Sequence, residues 1–179
     1  MAVRRISPGI WGLVKNLVAL VNQLAARTAD CTFNEAGLGI HSNAAQMTTT
    51  AGLDYRCKGC QFNKVATTGI TFSHAHVITQ NKYGAILIQI NAAGNFSTKV
   101  KAATQTTALA YDTAALAAAN LPEVDASNVA IGHAVIAPTA GTFTANTTEL
   151  TSICTYTNYL SAREADADSI QYRGQGTPS

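Results

Sequence analysis

The chain has 179 residues, 47% of them hydrophobic and only 12% charged, with a formal net charge of +2. That length supports one sizeable core, and four cysteines (Cys31, Cys57, Cys60, Cys154) at irregular spacing are too few for a disulfide scaffold. Lys and Arg are scattered from Arg4 to Arg173 with no run longer than Arg4-Arg5, which excludes an electrostatic footprint for nucleic acid. The missing charge is replaced by Ala, Thr, Asn and Gly, a surface that suits a protein packed against copies of itself or against a scaffold.

Residues 1–27 begin with Arg4-Arg5 and an apolar stretch from Ile10 to Val21, which imitates a secretory leader. Lys15 and Asn16 interrupt the stretch and argue against that reading, and the run falls short of the roughly 20 apolar residues a membrane span needs. Ser7 and Pro8 instead form a helix-start signal. Ile10, Leu13, Leu17, Leu20 and Leu24 then recur at spacings of three and four, the seam of a short coiled coil, and Val14, Val18 and Val21 add a second stripe. A helix apolar on two sides needs more than one partner surface, so residues 1–27 are expected to serve oligomerisation or anchoring. The alternative is a helix lying in a groove of its own domain.

Residues 28–54 contain Gly37, Gly39 and Thr48-Thr49-Thr50 and read as an extended arm. Residues 55–160 read as a β domain. Ile70-Thr71-Phe72 alternates, Ile86, Ile88 and Ile90 share one strand face, and Ala92-Ala93-Gly94-Asn95 turns the chain into Phe96, Thr98 and Val100, which predicts a hairpin over 83–100. Asp112 is a cap candidate for a short alanine-rich helix closed by Asn120 and Pro122. Strands are predicted over 129–136 and 153–159, with a loop over 141–150 between them and a polar tail at 161–179.

Cys57-Lys58-Gly59-Cys60 has the spacing of a zinc half-site or a dithiol pair, but no second paired motif accompanies it. His74 and His76 would share one side of a strand, roughly 7 Å apart, where a threefold axis could gather a metal. Ile70, Phe72 and Ile78 have the same parity, so both histidines also fit a half-buried face, and His133 fits the face of Val129, Ile131 and Val135. The carboxylates Asp112, Glu123, Asp125, Glu164, Asp166 and Asp168 read as caps and solvated positions. Motifs of serine hydrolases, phosphate-binding loops and zinc proteases are missing from the sequence. The expectation is a non-enzymatic protein with no cofactor and no resident metal.

The stretch Lys82-Tyr-Gly-Ala-Ile-Leu-Ile-Gln-Ile-Asn-Ala-Ala-Gly-Asn-Phe-Ser-Thr-Lys99, followed by Ala114-Ala-Leu-Ala-Ala-Ala-Asn-Leu-Pro122, Val129-Ala-Ile-Gly132 and Thr144-Ala-Asn-Thr147, resembles structural proteins of tailed bacteriophages. The resemblance covers about the C-terminal half and carries no catalytic residues. It implies a virion component, assembled in the host cytoplasm: a capsid decoration (cement) or head-fibre protein, with a tail-fibre, adaptor or receptor-binding module as the alternative. Its partners would be copies of itself, as a homotrimer, and the major capsid protein or other virion proteins, with no nucleic acid and no membrane. The fold expected is mainly β, an antiparallel β-sandwich or jelly-roll-like domain preceded by an N-terminal α-helix and an extended arm.

Overall fold

A computed structural model describes residues 12–18, 20 and 30–160 of the chain. The protein is mainly β. Among the described residues run the strands β1 (Cys31–Thr32), β2 (Leu38–Ile40), β3 (Met47–Thr49), β4 (Leu53–Cys57), β5 (Cys60–Lys64), β6 (Val77–Ile78), β7 (Gly84–Asn91), β8 (Phe96–Lys99), β9 (Asn128–Ile136), β10 (Phe143–Thr144) and β11 (Cys154–Asn158), with a short helix at Ala114–Ala119. They form sheets ordered β11-β9-β7-β8, β1-β4-β5, β2-β3 and β10-β6, and each ladder between them is antiparallel.

The predicted hairpin over 83–100 is β7 and β8. Asn91 Oδ1 accepts from the backbone N–H groups of Ala93 and Asn95, at 3.0 Å each, and Gly94 supplies the positive φ of 77° that closes the turn. Ile86, Ile88 and Ile90 are fully buried on the core face of β7, while Ala85, Leu87 and Gln89 are buried on the other face, where the short helix packs. Cover on both faces explains why β7 reads as an almost unbroken apolar run. The helix is capped by Thr113, whose Oγ1 accepts from Leu116 N at 3.1 Å, and not by Asp112, which pairs with Lys82 Nζ at 2.6 Å. Asn120 ends it as expected, its N–H donating to Ala117 O.

A bulge changes the reading of β9. The pairing steps from Ile88↔Gly132 to Gln89↔Ala130, leaving Ile131 without a partner on β7. Core-facing residues are therefore Val129 and Ile131 before the bulge and Ala134 and Ile136 after it. His133, expected on the face of Val129 and Ile131, lies opposite Leu87 on the helix-covered face instead.

Residues 28–54, expected as an extended arm, are corrected from Cys31 onward. Here β2, β3 and β4 put Leu38, Met47 and Leu53, and the connection before β2 puts Ala36, into the same core as Ile86 and Ile136, so this segment is part of the β lobe. Strands of two to five residues separated by Gly37 and Gly52 are too short to show a period, which hides them in the sequence. Two smaller corrections follow the same logic. Ile70-Thr71-Phe72 makes only a bridge from Ile70 to Met47, and Phe72 is held by a side chain, donating its N–H to Asn146 Oδ1 at 2.7 Å and accepting from Asn146 Nδ2 at 2.8 Å. The 141–150 loop contains β10 and buries Phe143, Ala145 and Leu150.

Candidate functional site

Residues 12–18 are helical, and so is Leu20. Their large apolar side chains are open to solvent: Leu13 is 71% exposed, Leu17 61%, Leu20 62%, Val18 52% and Val14 43%. Leu13, Leu17 and Leu20 keep the three-four spacing of the predicted seam, while Val14 and Val18 form the adjoining stripe. The other two seam positions, Ile10 and Leu24, lie outside the described residues, as does the tail 161–179. Asp30 and Leu160, the first and last described residues of the β lobe, line one shallow cleft of about 260 Å³.

The Cys57-x-x-Cys60 motif is a hairpin turn. Cys57 and Cys60 are cross-strand partners at the end of β4 and β5, joined by Lys58 and Gly59 with φ of 52° and 76°, the left-handed pair that a two-residue loop requires. Asp30 Oδ1 accepts from Lys58 N at 2.6 Å and pins the loop. Cys57 is buried and donates its thiol to Ser127 O at 3.2 Å, and burial, reinforced by the charge of Asp30, pushes its pKa up; Cys60 is exposed. Burial also pushes the Cys154 thiol to about 12, away from the thiolate that nucleophilic chemistry needs.

His74 and His76 lie outside any strand, and their rings are 5.7 Å apart. His76 is completely buried and spends both nitrogens on the protein: Nδ1 lies 2.9 Å from Gln105 O and Nε2 2.9 Å from Thr98 Oγ1. Since the carbonyl can only accept, Nδ1 carries the proton and Nε2 accepts from the Thr98 hydroxyl, which itself accepts from Ser73 N at 2.9 Å. This is a satisfied core histidine, with no free lone pair for a metal. Among the described residues no three His, Cys, Asp or Glu side chains converge on a common point.

Burial lowers the pKa of His76, although its bond to Gln105 opposes the shift, and burial lowers that of His133 as well. With the folded values below the unfolded 6.5, the unfolded chain binds more protons between the two, so stability falls as pH drops from about 6.5 and levels off below the folded pKa. Urea denaturation between pH 7.5 and 5 should show this loss, at no more than roughly 1.4 kcal/mol per pH unit for each histidine. An unfolding free energy that stays flat across the interval would contradict the assignment. Asp125 acts lower down, because its bonds to Lys99 and Gln89 hold its pKa below 3.8 and its contribution is lost as pH falls through that value.

The tyrosines are engaged by the lobe. Tyr55 is buried and donates to Asn91 O at 2.8 Å, the Tyr159 hydroxyl lies 2.8 Å from His133 Nδ1, and Tyr156 packs against the core. The Tyr156 hydroxyl is buried without a regular hydrogen-bond partner and interacts with the weakly accepting Cys154 thiol. Removing that hydroxyl by Tyr156→Phe should leave stability unchanged or raise it by up to about 1 kcal/mol, whereas a loss above that size in chemical denaturation would reveal a partner.

No family model, no curated protein and no solved structure matches this chain. Among the described residues no helix is long and apolar enough to cross a membrane.

Proposed function

We propose that the protein is a non-enzymatic structural subunit of a tailed-bacteriophage particle, a capsid decoration (cement) or head-fibre protein that works by packing against copies of itself and against the shell. The observation that carries the assembly part is the exposure of Leu13, Leu17 and Leu20 in register on one helix. Three such seams packed together remove both apolar stripes from water, which favours a homotrimer over a pair. The phage part rests on the resemblance of residues 82–147 to virion proteins.

Quantitative mass spectrometry of purified particles tests this reading. Copies in fixed ratio to the major capsid protein support decoration, a few copies per particle support a fibre or vertex role, and absence from intact particles overturns it.

A further inference from the structure

We propose that β11 is an open pairing edge for β11 of a second copy of this chain, independent of the N-terminal helix. β11 ends the sheet β11-β9-β7-β8. Its odd-numbered residues turn their backbone groups toward β9, as Ala137 N to Ile153 O at 2.8 Å and Tyr159 N to Ile131 O at 2.9 Å show at either end of the ladder. Alternation therefore points the N–H and C=O of Tyr156 and Asn158, and the C=O of Cys154, away from the sheet. Among the described residues these groups have no partner, whereas Cys154 N is already bonded to Leu150 O at 3.2 Å. The opposite edge is closed: Ser73 and Thr98 exchange side-chain to backbone bonds across β8, and Lys99 stands at its end paired to Asp125.

The open edge also lacks the devices that keep edges apart. Cys154-Thr-Tyr-Thr-Asn158 has no charge and no proline, and three of its five residues are good strand formers. It is self-complementary about a twofold axis at Tyr156. In the antiparallel register centred there, Tyr156 exchanges both bonds with the other copy's Tyr156, and each Asn158 N–H meets the other copy's Cys154 carbonyl, the one group of Cys154 left open. Thr155 then stands opposite the other copy's Thr157 on the exposed face, a favourable β-branched pair. Two four-stranded sheets become one continuous sheet. A twofold contact here and a higher-order contact through the helix are different symmetry operators, which together can build an extended layer of subunits.

The register supplies the test. Full-length chain carrying Leu17→Asp and Leu20→Asp isolates the edge, and association is measured by analytical ultracentrifugation over a wide concentration range. The double variant Thr155→Lys/Thr157→Lys sets lysine opposite lysine and should weaken the dimer by about tenfold or more, while Thr155→Lys/Thr157→Glu sets lysine opposite glutamate and should restore it. Both alter only exposed side chains, so the second variant also controls for folding. Equal association of the two variants, or a monomer at all concentrations before they are introduced, overturns the proposal. The contrast between the two variants reads the edge alone, whatever the helix contributes.

Discussion

Replacing Leu17 and Leu20 with Asp should dissociate the proposed assembly while leaving the β lobe folded. Each leucine withdrawn from water contributes about 1.5–3 kcal/mol, so losing two per protomer removes roughly 3–6 kcal/mol of association free energy before the cost of burying carboxylates is counted. At 1.4 kcal/mol per decade this weakens association by at least about a hundredfold. The lobe is spared because both side chains are more than half exposed in the single protomer. Sedimentation of the variant should give a smaller species than the parent chain, with far-UV circular dichroism retaining its β signature. An unchanged mass would place the association surface elsewhere.

Gly132→Ala should be the most damaging small substitution in the lobe. A Cβ there would stand 2.3 Å from the Thr157 carbonyl oxygen and 2.5 Å from Leu38 Cδ1. Leu38 can rotate, but Thr157 belongs to the β11 backbone and is paired to His133, so β11 must part from β9 to make room. The cost expected for such overpacking is about 3 kcal/mol, read as a lower urea midpoint at constant slope. Gly39→Ala is the control, because its Cβ meets only Thr48 Cγ2 at an ordinary 3.6 Å. Equal midpoints for the two variants would contradict the packing described for the bulge.

The sequence made β7, β8, β9 and β11 legible because each is long enough to show its period or is bounded by a recognisable turn. Three features resisted. The bulge at Ile131 reverses the face of each residue after it, and nothing in Val129-Ala-Ile-Gly-His133 marks the reversal except the glycine itself. The segment before Asp54 builds its part of the core from strands of two or three residues, where hydrophobic alternation has no room to appear. Asn146 replaces a strand partner with a side chain, a long-range pairing that no local pattern announces.

At the candidate sites the sequence located the residues better than their roles. The seam leucines Leu13, Leu17 and Leu20 are helical and exposed. Cys57 and Cys60 were marked by their spacing, although Lys58-Gly59 between alternating Leu53, Tyr55 and Phe62 already carried the signature of a two-residue hairpin. His76 is only partly legible: the parity with Phe72 and Ile78 that fits a buried His76 fits His74 equally, which is exposed, and the bonds of His76 to Gln105 and Thr98 come from residues far along the chain. The open edge of β11 could not be read from sequence, because which strand ends a sheet is a property of topology.

If the chain assembles through its N-terminal helix as proposed, the native mass of the unmodified protein will report it. Sedimentation equilibrium should give three times the 18.7 kDa of one chain at low concentration, with larger species as concentration rises. A single species of 18.7 kDa at all concentrations would rule out assembly through the helix.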